Sequence, residues 1–186
     1  MYSNRIILFL AFLAFLALAG CGSMQDDLLP SGSDERTVVL PGSTGSSTNQ
    51  NAPDFSISTT LGTTFTLSTN IASHRGVVLY FMMWGCPTCD SHLSYIRTSV
   101  LPSHPDVLFC AVDYVSGTVA DSRGQEVANG YDGSGITFLA DTSQTALNLY
   151  SGTMATTVVI DKNGVVQMNE DMKDGSKLLS TLAALP

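Results

Sequence analysis

The stretch from Val77 to Val100 constrains the fold more than any other part of the sequence. It begins with β-branched and bulky apolar residues, Val77 to Met83, which are typical of a strand buried on both faces of a sheet. Gly85 ends this strand, and Cys86-Pro87-Thr88-Cys89 follows where a helix is predicted to begin. The sequence therefore predicts a Cys-x-x-Cys pair at the junction between a buried strand and a helix.

The predicted helix gives its two cysteines different surroundings. Cys86 is expected at the N-cap and Pro87 at the first helical position, where a missing N–H costs nothing. The unpaired N–H groups and the positive end of the helix dipole favour a thiolate at Cys86, which we interpret as a nucleophile. Cys89 is better shielded and is suited to resolve a mixed disulfide formed at Cys86. The core-facing stripe at helical spacing is Cys89, Leu93, Ile96 and Val100.

Two other roles for the cysteine pair stay open at this point. One is a structural disulfide that never turns over, and the other is half of a zinc site. A zinc site needs two more ligands at suitable spacing, and the sequence has no second Cys-x-x-Cys. The remaining candidates are scattered: His74, His92, His104 and Cys110. We therefore predict no metal and no cofactor beyond the redox-active pair, and we interpret Cys110 as a core residue rather than a third redox cysteine.

Length and charge narrow the class of protein further. A chain of 186 residues is long enough to bury a core without disulfide staples. Its formal net charge of −8 argues against nucleic acid as a partner and against electrostatic docking on anionic lipid.

Residues 1–20 have the three parts of a secretory leader: Arg5, an apolar run from Ile6 to Ala19, and a site of small residues. The apolar run is short for a membrane span. Leu18-Ala19-Gly20-Cys21 resembles the bacterial lipobox, which implies lipidation at Cys21 and a membrane anchor facing the periplasm or the exterior. Gly22 after the cysteine favours an outer-membrane address in a cell that has one. The alternative is an ordinary leader with an unrelated cysteine.

The rest of the chain divides into a polar segment and a globular one. Residues 21–51 are rich in Ser, Gly, Asp and Thr and are predicted to form a flexible tether. About 30 such residues reach on the order of 30 Å. Residues 52–186 have a hairpin around Leu61-Gly62, alternating strands and helices, and a second hairpin at Lys162-Asn163-Gly164. The Gly-rich segment 129–135 is interpreted as a solvated loop, in preference to an insert that shapes access to a site.

From Ala52 to its end, the chain resembles the thioredoxin-like thiol-disulfide oxidoreductases of the TlpA and ResA type, in the group that includes peroxiredoxins. The resemblance rests on Ala52-Pro53-Asp54-Phe55, on the apolar strand before the cysteine pair, and on Ala155-Thr156-Thr157-Val158-Val159-Ile160-Asp161-Lys162-Asn163-Gly164. It implies a thioredoxin-like three-layer α/β/α sandwich with a mixed central sheet and an N-terminal β-hairpin. The implied reaction is dithiol-disulfide exchange with extracytoplasmic proteins, more commonly as their reductant.

The chain departs from this family near the cysteines. The proline that is normally cis and lies against the Cys-x-x-Cys is replaced by Ala155, where a cis bond would cost roughly 3 kcal/mol more than trans. We therefore expect the Met154-Ala155 bond to be trans. By the resemblance, the substrate docks on Trp84, Pro87, Ala155 and Thr156.

His92 stands where the family commonly has a glutamate, three residues after the second cysteine. Imidazole titrates near neutral pH, so His92 is a candidate to take the proton from Cys89 during resolution. The alternative is a half-exposed helix histidine without a role in the reaction.

The sequence thus favours a lipid-anchored thiol-disulfide oxidoreductase of the cell envelope. One alternative is a thioredoxin-like binding lipoprotein in which Cys86 and Cys89 form a structural disulfide, since a fold alone does not guarantee activity. Another is a thiol peroxidase. Peroxiredoxins carry Thr or Ser three residues before the reactive cysteine, where this chain has Met83, and the peroxidase is therefore the weaker alternative.

Overall fold

A computed structural model describes residues 39–186 of the chain. The predicted leader, Cys21 and the first part of the predicted tether lie outside the described residues. Within the range that is described, no helix combines the length and the apolar character needed to cross a membrane.

Residues 39–186 contain one mixed sheet of seven strands in the order β2-β1-β5-β4-β3-β6-β7. The central strand β3 runs parallel to β4 and antiparallel to β6. Every residue of β3 is buried, as predicted for a strand covered on both faces. The strands are β1 Ser56–Thr59, β2 Thr64–Thr66, β3 Gly76–Met82, β4 Val107–Asp113, β5 Thr137–Ala140, β6 Thr156–Asp161 and β7 Val166–Asp171.

The described part of the chain has five α-helices, the last of which follows β7: α1 Leu67–Ile71, α2 Pro87–Tyr95, α3 Val119–Ala128, α4 Thr145–Leu149 and α5 Ser176–Ala183. A π-helical turn, Ile96–Val100, and a short 3₁₀ turn, Leu101–Ser103, continue α2. The predicted core-facing stripe of this helix is buried along its whole length, including the residues on the π-helical turn.

Alternation along β3 divides the interior into two clusters. The β3 side chains that face α2 and α5 are Val78, Tyr80 and Met82. Those that face the opposite cluster, which includes α4 residues and the hairpin's Phe55 and Phe65, are Val77, Leu79 and Phe81. The predicted α/β sandwich with a mixed sheet and an N-terminal hairpin is therefore confirmed.

The last residues of the predicted tether pack on the domain. Asn49 donates its backbone N–H to the carbonyl oxygen of Val166 over 2.8 Å. The Asn169 side chain donates to the carbonyl oxygen of Ser46 over 2.9 Å. Hydrogen bonds to β7, rather than apolar burial, hold this polar segment, so the folded region begins before Ala52.

Candidate active site

Cys86 lies at the N-cap of α2, as predicted, with Pro87 at the first helical position. Its Sγ accepts a hydrogen bond from the backbone N–H of Cys89 over 3.1 Å. Gly85 precedes it with a φ of +79°, a left-handed conformation that turns the end of β3 into the helix. N–H donors at a helix N-terminus stabilise negative charge on a cysteine sulfur. The local sequence thus places Cys86 where a nucleophilic sulfur is best supported.

Cys89 is fully buried behind Cys86, with a relative exposure of 0% against 9%. Burial raises the pKa of the Cys89 thiol, and its hydrogen bond with the Cys86 thiol raises it further. The backbone of Met83 and the hydroxyl of Tyr80 act in the opposite direction on this pKa. Both cysteines are free thiols in this structure. Both cysteines are buried, but the pair is asymmetric, because Cys86 keeps a small exposed fraction beside the start of α2 and Cys89 has none.

His92 contacts Tyr80, which belongs to the same buried cluster as the cysteine pair. Its Nδ1 atom lies 3.0 Å from the Tyr80 hydroxyl, and the two rings meet edge to face. The His92 Nε2 atom lies 3.2 Å from the carbonyl oxygen of Lys173. Burial, followed by the adjacent Cys89 thiol, raises the pKa of Tyr80. Sequence analysis singled out His92 but missed Tyr80, because a buried tyrosine in a central strand gives no local signal of its contacts.

A cavity of about 220 Å³ opens beside Cys86. Trp84 and Pro87, both predicted to dock the substrate, line it. The Trp84 ring stacks on Phe138 with 5.4 Å between ring centroids. These residues form an apolar wall next to the sulfur of Cys86, of the kind on which a peptide segment can pack.

The Gly-rich segment 129–135 lies beside this cavity and is largely exposed, as predicted for a solvated loop, but Tyr131 within it is buried. Tyr131 is 2% exposed, and its hydroxyl donates to Asp90 Oδ1 over 2.8 Å. The Arg97 guanidinium lies 4.9 Å from the centre of the Tyr131 ring. Asn129, from the same segment, lines the cavity. One buried aromatic residue thus anchors a segment whose composition is otherwise that of a solvated loop.

The Met154-Ala155 bond is trans, as expected from the sequence. Ala155 is 9% exposed and has a φ of +72°, which is unusual for a residue with a Cβ atom. Its side chain belongs to the same buried cluster as both cysteines. Ala155 therefore shares a buried cluster with the cysteine pair, in a backbone conformation that a proline cannot adopt.

Thr156, the fourth predicted docking residue, is set apart from the others. Its hydroxyl donates to Asp171 Oδ1 on β7 over 2.9 Å. It lines a different cavity, together with Ser46 and Tyr150. Ala155 belongs to the buried cluster of the cysteine pair and Thr156 lines this other cavity, so the two predicted docking residues do not face one surface.

Cys110 lies in β4, on the opposite face of the sheet from the cysteine pair. It is 1% exposed, and burial raises the pKa of its thiol. It is therefore placed as a core residue. Among residues 39–186, no three side chains of His, Cys, Asp or Glu form a group suited to hold a metal ion.

Comparisons with known proteins agree with this geometry. The Redoxin family model matches residues 47–182. DsbF of Mycobacterium tuberculosis is 25% identical, with a TM-score of 0.59 over 71% of this chain and 95% of that one. A putative thiol:disulfide interchange protein DsbE from Chlorobium tepidum is 20% identical, with a TM-score of 0.63 over 75% of this chain and 99% of that one.

An exposed lipoprotein thioredoxin of Streptococcus pneumoniae is 23% identical, with a TM-score of 0.57 over 72% of this chain and 100% of that one. No curated protein matches the chain. The family match covers the whole sheet and the cysteine pair at the start of α2. The chain therefore belongs to the Redoxin family and has a thioredoxin-like fold.

Proposed function

We propose that this protein is a lipid-anchored, extracytoplasmic enzyme that reduces disulfides in partner proteins. The observation that carries the proposal is the asymmetry of the pair, in which Cys86 borders an open cavity and Cys89 is fully buried behind it. A partner disulfide can reach the Cys86 sulfur but not the Cys89 sulfur. This order of access assigns attack to Cys86 and resolution to Cys89.

The exchange takes two steps. The Cys86 thiolate attacks one sulfur of the partner disulfide, which forms a mixed disulfide and releases the other partner sulfur as a thiolate. The Cys89 thiolate then attacks the Cys86 sulfur, which closes the Cys86–Cys89 bond and releases the second partner sulfur. Two electrons pass from the enzyme dithiol to the partner. A separate dithiol donor on the same side of the membrane must then reduce the enzyme.

The reducing direction of the reaction and the location of the protein are supported by different observations. A reducing role is the commoner one among the thioredoxin-like proteins that the chain resembles. The apolar leader and the lipobox-like segment ending at Cys21 support a lipid anchor. The likeness to an exposed lipoprotein thioredoxin agrees with an anchored enzyme of the cell envelope.

The first experiment is a redox titration of the full chain in detergent, in thiol–disulfide buffers, read by the fluorescence of Trp84. This is the one tryptophan of the chain, and it lines the cavity beside Cys86. We expect a reversible potential near roughly −250 mV, as for reducing enzymes. A value near roughly −120 mV would instead make the protein an oxidant of partner thiols.

Variants test the assigned roles of the two cysteines. Cys86→Ala should abolish reduction of insulin disulfides, whereas Cys89→Ala should accumulate mixed disulfides through Cys86. Cys110→Ala is the matched control, because this cysteine lies across the sheet, and it should retain the wild-type rate. Insulin reduction by Cys86→Ala at the wild-type rate would show the proposal to be wrong.

The anchor is tested independently by Cys21→Ser. We expect the wild-type protein in the membrane fraction and the variant in the soluble fraction after lysis. A variant that stays with the membrane would refute lipidation at Cys21 while leaving the proposed exchange reaction untouched.

The alternative of a binding lipoprotein with a structural disulfide draws on Ala155, whose left-handed backbone differs from the cis-proline site of the resembling enzymes. The redox titration separates the two functions. A potential well below about −300 mV, or no reversible transition, is the behaviour of a structural disulfide and would favour the binding protein.

A further inference from the structure

The cavity beside Cys86 has one carboxylate on its wall, that of Asp90. Apart from the Cys86 sulfur, the other residues that line it are apolar or uncharged, among them Trp84, Leu93 and Asn129. Its volume of about 220 Å³ is below the roughly 300–1,000 Å³ of sites for drug-sized ligands. The cavity therefore suits a single side chain of a partner protein that docks on Cys86.

The Asp90 carboxylate is held in place, but its charge is not neutralised. The Tyr131 hydroxyl donates to its Oδ1 atom over 2.8 Å. The Arg97 guanidinium lies over the Tyr131 ring and donates to the carbonyl oxygen of Gly130 over 3.1 Å. Within residues 39–186, no Lys, Arg or His side chain forms an ion pair with Asp90. The carboxylate is thus oriented, and its negative charge stays available to a partner.

The polar side chains on the wall of this cavity are suited to accept hydrogen bonds. The Asn129 amide nitrogen donates to the carbonyl oxygen of Gln125 over 2.8 Å, which leaves the amide oxygen of Asn129 free to accept. The Trp84 Nε1 atom is buried, so the indole N–H is not on the cavity surface. A polar side chain that enters the cavity must therefore bring its own donors, as the ammonium of lysine and the guanidinium of arginine do.

During attack, two anionic groups border this cavity. Asp90 lies in the first turn of α2, and its backbone N–H donates to the carbonyl oxygen of Cys86 over 3.0 Å. In the proposed exchange the Cys86 sulfur reacts as a thiolate on the same turn. A cation of the partner is attracted to both groups, whereas a partner carboxylate is repelled by both.

We propose that Asp90 selects partner proteins that carry a lysine or an arginine beside the cysteine whose disulfide is reduced. This selection rests on the exchange reaction proposed above, with Cys86 as the point of attack. The cationic group of the partner pairs with the Asp90 carboxylate and donates to the amide oxygen of Asn129. Its aliphatic stem packs on Trp84 and Leu93. Asp90 thereby adds local selection to the long-range attraction that a net charge of −8 exerts on basic proteins.

The test isolates the attack by Cys86 in the full chain, in detergent, with the substitutions Cys21→Ser and Cys89→Ala. The probes are three synthetic peptides, each with one cysteine in a mixed disulfide with thionitrobenzoate and with Lys, Gln or Glu next to that cysteine. The Cys86 thiolate attacks the peptide sulfur and releases thionitrobenzoate, which stopped-flow absorbance records. Each rate is divided by the rate of 2-mercaptoethanol with the same peptide, because the neighbouring residue also changes the intrinsic reactivity of the peptide.

At about 20 mM salt, we expect the Lys peptide to react about fivefold faster than the Gln peptide, the upper range for an exposed ion pair. The Glu peptide should be slower than both. Asp90→Asn should bring the Lys and Gln rates within about twofold of each other, whereas Asp90→Glu keeps the charge and should retain the preference. Salt at about 0.5 M should also reduce the preference, because it screens the charges.

Asp106→Asn is the matched control. It removes the same charge at the amino end of β4, whereas Cys86 follows the carboxyl end of the parallel strand β3. The two positions are therefore at opposite edges of the sheet. This variant should keep the fivefold preference for the Lys peptide.

Equal rates for the Lys and Gln peptides with Asp90 present would overturn the proposal. So would a preference that Asp90→Asn leaves intact, or one that Asp106→Asn also removes, since net charge would then account for it. Failure of the exchange reaction gives a different result, in which no peptide releases thionitrobenzoate faster than it does with Cys86→Ala. That result would show the proposed function, and with it this selection, to be wrong.

Discussion

The backbone N–H of Ala155 donates a hydrogen bond to the carbonyl oxygen of Phe81 over 2.9 Å, while Ala155 itself has a φ of +72°. A proline can satisfy neither condition, because it has no N–H and its φ is fixed near −65°. The carbonyl oxygen of Ala155 also accepts from the backbone N–H of Met172 over 2.8 Å. The segment before β6 therefore depends on a residue whose N–H donates a hydrogen bond, and a proline at this position would be incompatible with it.

Substitutions at Ala155 should have opposite effects on stability. Ala155→Gly relieves the left-handed strain and should raise the free energy of unfolding by about 1 kcal/mol. Ala155→Pro should lower it by about 3 kcal/mol or more, because the hydrogen bond to Phe81 is lost and φ is incompatible. Urea denaturation measures both. Ala183→Gly, at an exposed position in α5, is the control and should lower stability by about 1 kcal/mol. A lower free energy of unfolding in Ala155→Gly would show that the left-handed backbone at Ala155 is not strained.

Substitution of Gly85 should destabilise the protein because of its backbone conformation and not because of a steric clash. A Cβ atom there meets nothing within 4 Å, but φ is +79°. Gly85→Ala should therefore lower the free energy of unfolding by about 1–2 kcal/mol. Gly124→Ala in α3 is the matched control, since a Cβ atom there also meets nothing within 4 Å and alanine favours a helix by about 1 kcal/mol. Thermal or urea unfolding should give opposite signs for the two variants, and equal signs would count against this account.

Tyr131 should hold segment 129–135 in place beside the cavity. Tyr131→Phe removes the hydrogen bond to Asp90, which should cost about 1 kcal/mol of stability. It should also increase amide hydrogen exchange in segment 129–135, because that segment loses its polar anchor. Tyr150→Phe, which loses a comparable bond to Pro53, should cost similar stability without changing exchange in the segment. Unchanged amide hydrogen exchange in Tyr131→Phe would mean that packing alone holds segment 129–135.

Asp54 should make stability depend on pH in the acid range. Burial acts to raise the pKa of Asp54, but hydrogen bonds from Ser68 and from the backbone of Phe55 outweigh it, and the pKa lies below its ordinary value of 3.8. Because the folded-state pKa is depressed, the stabilisation is present above the unfolded-state pKa and is lost as pH falls through the folded-state pKa. The wild type should therefore exceed Asp54→Asn in stability at pH 7, and the difference should shrink towards pH 3.

Urea midpoints at several pH values check this prediction. Ser68→Ala removes the side-chain donor, whose oxygen lies 2.7 Å from Asp54 Oδ2, and should reduce the pH-dependent difference. A constant difference between wild type and Asp54→Asn at all pH values would assign the effect of the substitution to packing instead.

Features fixed by neighbouring residues were predictable from the sequence. The β-branched run predicts β3, Gly85 and Pro87 predict the turn into α2, and Asn163-Gly164 predicts the hairpin of β6 and β7. Each of these signals acts within a few residues of the structure that it produces. The cysteine pair was found for the same reason, since its spacing and position are local properties.

Contacts between distant residues were not predictable in the same way. Tyr131 is 41 residues from Asp90, and Lys173 is 81 residues from His92. Nothing in the local pattern separates a tyrosine that bonds to an active-site helix from one that only fills the core. The ordered end of the tether was missed likewise, because the hydrogen bond from Asn49 to Val166 depends on a strand much later in the chain.

The position of β3 between β4 and β6 has a consequence for the chain during its synthesis. A chain that emerges N-terminus first presents Cys86 and Cys89 as soon as α2 forms, yet one edge of β3 stays open until β6 follows. During that interval the thiols follow a strand with one unpaired edge, before Ala155 and α5 have joined their buried cluster. Nascent chains are therefore the form in which Cys86 and Cys89 are most exposed to non-native disulfide formation. Rapid synthesis of β6 and β7 shortens this interval, because it completes the sheet beside β3.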